Sequence, residues 1–90
     1  MVVNATGFAS FVPSEITIDP GTRVRWVFVA GTPNHTITPR DAGQDGVWAR
    51  SVIDEDDVSF EHVFNVAGQT YDYYCEPHEI AGMVGKVTVR

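Results

Sequence analysis

Cysteine is almost missing from this chain. Cys75 is the only one among 90 residues, so no intramolecular disulfide can staple the fold, and cysteine usage does not place the protein in a redox compartment. Long apolar runs are also missing, since no stretch approaches the roughly 18 apolar residues that a membrane-spanning helix needs. Met1 is followed by Val2, Val3 and Asn4, with no charged start and no apolar signal core. The expectation is therefore a mature or trimmed form whose export signal or membrane anchor has been removed. Basic residues are scarce: six Lys and Arg against twelve Asp and Glu give a formal charge of -6. That balance speaks against nucleic acid as a partner, because phosphate backbones are bound through basic surface. No amphipathic helix pattern, internal repeat or interdomain linker is visible. A chain of 90 residues makes one domain, residues 1–90, long enough for a single core and too short for a deep substrate cleft. Hydrophobic content of 43% is that of a globular protein and excludes general disorder.

What the chain does contain is strand alternation. Ile16 and Ile18 alternate through Glu15 to Asp19 and end at the turn signal Pro20, Gly21. Val24, Trp26 and Phe28 share one face of Arg23 to Val29, the mark of a half-buried strand. Gly31 to Asn34 break that strand and put His35 at the start of a short one, His35 to Thr38. Residues 39–57 are polar, with Trp48, Val52 and Ile53 as the expected core contacts. Strand character returns over Val58 to Val66, Tyr71 to Cys75 and Val84 to Val89. About seven short strands with turns between them predict a β-sandwich. If Cys75 points inward, Tyr71 and Tyr73 share its side, and Asp72 and Tyr74 face outward. Tyr71, just past a glycine turn, is a candidate for a hydrogen-bonded tyrosine at a sandwich corner.

The scarce soft ligands cluster. Cys75, Glu76, Pro77, His78 and Met83 put a thiol, an imidazole and a thioether in nine residues, and His35 comes from a distant segment. Singly, each has a plain structural explanation: Cys75 as a small buried hydrophobe, Met83 as core filler, the histidines as hydrogen-bonded or surface groups. Together they have the chemistry of a blue copper site, with two imidazoles and a thiolate around the metal and a weak axial methionine. Soft sulfur suits Cu(I) and imidazole suits Cu(II), so such a set holds both states of a one-electron carrier. Zinc also accepts cysteine and histidine. His62 is not needed for the set, and alternation along Val58, Phe60, His62 and Phe64 gives it a structural place.

With these residues in hand, the chain resembles the cupredoxins, small type 1 blue copper proteins of the plastocyanin type, and within them the halocyanins and related prokaryotic proteins. The likeness runs from Phe11 and Pro13 through the Ile16, Ile18 and Val24, Trp26 strands, His35, Phe60 to Phe64 and Tyr71 to His78, to Met83 and Val89. The spacing Cys75, two residues, His78, four residues, Met83 is similar to that of plastocyanins and pseudoazurins. His35 is the only histidine placed to match the upstream ligand. The chain departs from the pattern where plastocyanins carry an asparagine just after that histidine to tie the ligand loops together; here Thr36 follows and Asn34 precedes. Gln69, between Gly68 and Thr70, is one residue more than the usual glycine, threonine, tyrosine turn.

The resemblance implies an all-β Greek-key β-sandwich or barrel of seven to eight strands, one copper ion held by His35, Cys75, His78 and Met83, and electron transfer without enzymatic chemistry. It also implies redox partner proteins that dock transiently at an apolar surface around His78, Pro77 and Ile80 to Gly82, with a second route through Tyr74. The acidic residues Asp54 to Asp57 are either a solvated loop or a patch that steers a basic partner. A monomer working outside the cytoplasm, in the periplasm or at the cell surface, is expected. Rival functions are a copper chaperone or storage protein, for which Met1 and Met83 are too few soft exposed ligands, and a copper domain excised from a larger redox enzyme. A thiol hydrolase would need a base and an oxyanion site beside Cys75, and nothing further signals them.

Overall fold

The computed structural model describes residues 1–90 as nine strands and one short 3-10 helix. The strands are β1 (Val2–Thr6), β2 (Ser10–Val12), β3 (Glu15–Ile18), β4 (Thr22–Phe28), β5 (His35–Pro39), β6 (Ser51–Ile53), β7 (Ser59–Phe64), β8 (Thr70–Tyr74) and β9 (Val84–Val89). They form a Greek-key sandwich of two open sheets, ordered β2-β1-β4-β7 and β3-β9-β8-β5-β6, rather than a closed barrel. β1 runs parallel to β4 and β3 parallel to β9, and the other pairings are antiparallel.

The strands outnumber the seven or eight expected. β1, β2 and β6 are the additions. β2 and β6 are three residues each, too short to display a period. β1 alternates, burying Val3 and Ala5, but gains its strand character from pairing with β4. Period-2 patterning holds in β3, β4, β8 and β9: β4 buries Val24, Trp26 and Phe28, and β8 buries Tyr71 and Tyr73 while Asp72 is exposed. It fails in β5, which buries four residues in a row, His35 to Thr38, because both of its faces are covered.

A single cluster of 18 buried residues fills the space between the sheets. Trp26, fully buried, sits at its middle, with ring centroids 5.4 Å from Trp48, 5.5 Å from Tyr73 and 5.8 Å from Phe60. Emptying such a site by Trp→Ala costs about 3–5 kcal/mol. Trp48, on the polar segment between β5 and β6, reaches the core as expected and donates its indole N–H to the Ile37 carbonyl at 3.1 Å. The Tyr71 hydroxyl donates to the Asp45 carbonyl at 2.6 Å, so this corner tyrosine ties down the long loop rather than its own turn. Packing at the β8–β9 pair is close enough that a Cβ at Gly85 would strike the Tyr73 ring.

One irregularity positions everything that follows. The first half of β5, His35 to Ile37, pairs with β6, whereas its second half, Thr38 and Pro39, pairs with Tyr74 and Tyr73 of β8. Beyond Tyr74 the ladder between β5 and β8 stops, and Cys75 and Glu76 face β5 without main-chain bonds to it.

Candidate metal centre

Cys75 is the last extended residue of its segment, with φ -96° and ψ 118°, and it leads into the 3-10 helix Glu76–Ala81 with Pro77 in the first turn. Proline suits that place because its nitrogen would lack a partner there and its φ is already set. The helix ends at Gly82, whose φ of 86° is left-handed, a conformation that costs residues with a Cβ. The loop closes on itself: the Cys75 N–H donates to the Met83 carbonyl at 3.0 Å, and the Met83 N–H donates to the His78 carbonyl at 3.2 Å. Cys75, His78 and Met83 are thus held by a rigid hairpin-like ring of backbone bonds.

β5 brings the remaining histidine. His35 Nδ1 lies 3.8 Å and His78 Nδ1 3.2 Å from Cys75 Sγ, and the two rings are 5.1 Å apart. All three side chains are buried, and their ligand-type atoms lie within 4.8 Å of one another. Met83 is fully buried as well. Burial, and secondarily the neighbouring His78, pushes the His35 pKa below 6.5, so its imidazole is neutral at neutral pH and keeps a free lone pair. Two ring nitrogens and a sulfur thus converge in one buried pocket, and the buried His35 Nε2 closes no hydrogen bond. That donor set, soft sulfur with two imidazoles, fits copper.

The sulfur has one further partner. The Thr36 amide points at Cys75 Sγ with N···S 3.4 Å. The Thr36 hydroxyl accepts the Glu76 N–H at 2.8 Å. Thr36 therefore ties β5 to the ligand loop, although it stands where the family pattern has an asparagine. Around it, Thr38 Oγ1 donates to Glu76 Oε1 at 3.1 Å and Arg50 Nε donates to the same oxygen at 2.8 Å. The hydrogen bond from Arg50 holds the Glu76 carboxyl below its usual range.

The surface over the site is apolar. Pro77, Ala81 and Gly82 are exposed, Ile80 is completely so, and Phe8 from the β1–β2 turn lies edge-on to His78 at 5.0 Å while 68% exposed. Phe8, Thr38 and Arg50 have no place in the sequence reading of the site, and Glu76 enters it only as a member of the ligand run. Phe8 is 70 positions from the loop it joins, and no local pattern links the two. Tyr74 is half-buried under the Arg40 guanidinium, 4.2 Å above its ring, and Arg40 is paired with Glu79. The acidic run stands apart from those pairs: Asp54 Oδ1 accepts the N–H groups of Asp56 and Asp57 at 2.9 and 2.8 Å, and no carboxylate of Asp54 to Asp57 enters an ion pair. His62 lies outside the cluster, with Nε2 2.7 Å from the Gly46 carbonyl and its ring against Phe64 and Trp48.

Comparison with known proteins points to a copper-binding family. Residues 1–90 match the model of the copper binding proteins of the plastocyanin/azurin family. The plastocyanin of Scenedesmus fuscus is 39% identical over 90 residues, a match that spans 94% of this chain and 91% of that protein. The chloroplastic plastocyanin of Chlamydomonas reinhardtii is 38% identical over 95 residues, covering 94% of this chain and 61% of its own length. Among solved structures, a mutant plastocyanin of fern superposes with a TM-score of 0.84 at 29% identity over the whole of both chains. Amicyanin from Paracoccus versutus superposes with a TM-score of 0.72 at 28% identity, covering 99% of this chain and 79% of that one.

Proposed function

This chain belongs to the plastocyanin/azurin family of copper-binding proteins, and we propose that it is a small blue copper electron carrier whose metal ligands are His35, Cys75, His78 and Met83. The observation that carries the ligand set is the convergence of His35 Nδ1 and His78 Nδ1 on Cys75 Sγ in a buried pocket. Met83 would be the fourth ligand, a reading supported by its complete burial and by the backbone bond from Cys75 to its carbonyl. Bound there, copper supplies a one-electron Cu(II)/Cu(I) couple.

The protein's own part is to hold and to shield. His35 is kept neutral by burial and needs to lose no proton to become a ligand. Cys75 releases its proton on metal loading, because the thiolate is the ligand. The closed loop from Cys75 to Met83 keeps the donors in one geometry, so little rearrangement accompanies a change of charge.

His78 is the ligand nearest to solvent, at 8% exposure among ligands otherwise at 0%. Electron exchange runs through its ring, beneath a docking surface made of Phe8, Pro77 and Ile80 to Gly82. An apolar surface of this small size suits short-lived complexes that release quickly. Tyr74 offers a second approach, and the unpaired carboxylates of Asp54 to Asp57 steer a basic redox partner. The carrier acts as a monomer, with residues 1–90 as one unit. Its setting is extracytoplasmic, in the periplasm or at the cell surface, away from the thiol pool that dominates the cytosol.

Copper loading of variants tests the ligand set. Cu(II) added to Cys75→Ser is expected to give no intense blue band, whereas His62→Ala gives the parent's colour. The reverse pattern would mean that the ligands are misassigned.

A further inference from the structure

We propose that Thr38, Glu76 and Arg50 form a positioning device that holds the Thr36 amide on the Cys75 sulfur and thereby raises the reduction potential of the copper site. The inference rests on the copper reading above. Its basis is a proton count. A carboxylate only accepts, so the Thr38 hydroxyl spends its single proton on Glu76 Oε1 at 3.1 Å. Thr38 Oγ1 is also 3.0 Å from Thr36 Oγ1, and with its own proton committed it is the acceptor there, leaving Thr36 the donor. Thr36 Oγ1 in turn accepts the Glu76 N–H at 2.8 Å.

The bonds therefore run one way round a closed ring: Glu76 N–H to Thr36, Thr36 to Thr38, Thr38 to the Glu76 carboxylate. Every donor is used once, and the ring begins and ends on the residue next to Cys75. Arg50, arriving from just before β6, fixes the carboxylate from outside at 2.8 Å. Thr36 and Thr38 are both buried, which shields their hydroxyls from water, while the Glu76 carboxylate and Arg50 lie at the surface. The ring occupies the place where the β5–β8 ladder stops, and it substitutes side-chain bonds for the missing main-chain ones.

Its consequence reaches the metal through Thr36. The Thr36 nitrogen lies 3.4 Å from the sulfur, an ordinary length for a hydrogen bond to sulfur, and the bond keeps that length while β5 is held against the loop. A hydrogen bond to the thiolate draws electron density from it and favours the electron-rich reduced site, and such bonds around the cysteine sulfur tune the potential. Loosening the ring weakens that bond and lowers the potential.

Redox titration of the copper-loaded protein, with amide hydrogen exchange of the metal-free protein, tests this. Thr38→Val keeps the shape and removes the hydroxyl. It is expected to stay blue, to have a lower potential than the parent, and to exchange the Glu76 amide at least about tenfold faster, since both hydrogen bonds of the Thr38 hydroxyl are lost. Thr38→Ser, which keeps the hydroxyl, should restore the parent's potential and exchange. Val24→Ala, a cavity in the opposite sheet, should lower stability and leave the potential alone, which a general loosening would not. If Thr38→Val does not fold, Arg50→Gln read in about 1 M salt, where the lost surface charge is screened, should still lower the potential. A blue Thr38→Val with the parent's potential, or a Thr38→Ser shifted as far as the valine variant, overturns the inference and leaves the copper reading intact. A parent that never turns blue overturns the copper reading, and the inference with it.

Discussion

Cys75 is an ordinary residue in an unusual company. A buried cysteine is commonplace, and what marks this one is that two imidazole nitrogens and a backbone N–H all point at its sulfur. Its candidacy as a ligand is legible in sequence because cysteine, histidine and methionine are rare here and cluster. The tie through Thr36 is not legible, since a threonine after a histidine carries no signal of its own. At the same scale, Tyr73 yields a test of the core. Its hydroxyl is fully buried and closes no hydrogen bond, and the nearby Trp26 indole only partly offsets the burial that pushes its pKa up to about 12. A raised acid pKa means that the unfolded tyrosine ionises first. Stability is complete below pH 10 and falls as pH rises toward 12, by about 2–3 kcal/mol for this residue. Denaturant melts from pH 9 to 12 should show that decline, and Tyr73→Phe should remove about 2 kcal/mol of it.

At the scale of elements, the site exists because a ladder ends early. β5 follows β8 as far as Thr38 and Tyr74, then diverges, and the gap is filled by Thr36, Cys75 and Glu76. The 3-10 helix and Gly82 then turn the chain back so that Met83 meets Cys75. Gly82 has φ 86°, and alanine there should cost about 1–2 kcal/mol. In a domain of this size that lowers the melting temperature of the metal-free protein by roughly 4–8 °C for each kcal/mol, and calorimetry checks it. The long strands were readable because Val24, Trp26 and Phe28, or Tyr71 and Tyr73, alternate over enough residues to show a period. β2 and β6 were not, because three residues take their conformation from the partner strand. Phe8 belongs with them: its place over His78 depends on how the sheets stack, which no local pattern records.

Over the whole molecule, polarity is divided. An apolar face with Phe8 and Ile80 covers the metal site, while the -6 charge includes the unpaired run after β6. If that run steers a basic partner, its effect is on association rate and fades with salt. Reversing Glu55, Asp56 and Asp57 to lysine, and sparing Asp54 because its carboxylate holds the turn, should slow electron transfer with a basic partner about tenfold at low ionic strength. Stopped-flow rates across a salt series read this, and unchanged rates with an unchanged salt slope would assign the run to solubility alone. The sandwich, the core, the apolar face and the acidic run all surround one buried cluster of donors, and the most direct measurement of its role is optical. One equivalent of Cu(II) added to the purified protein should produce an intense blue colour that ascorbate bleaches and an oxidant restores, cycle after cycle. A colourless Cu(II) adduct, or a colour that reduction removes and oxidation does not bring back, would contradict it.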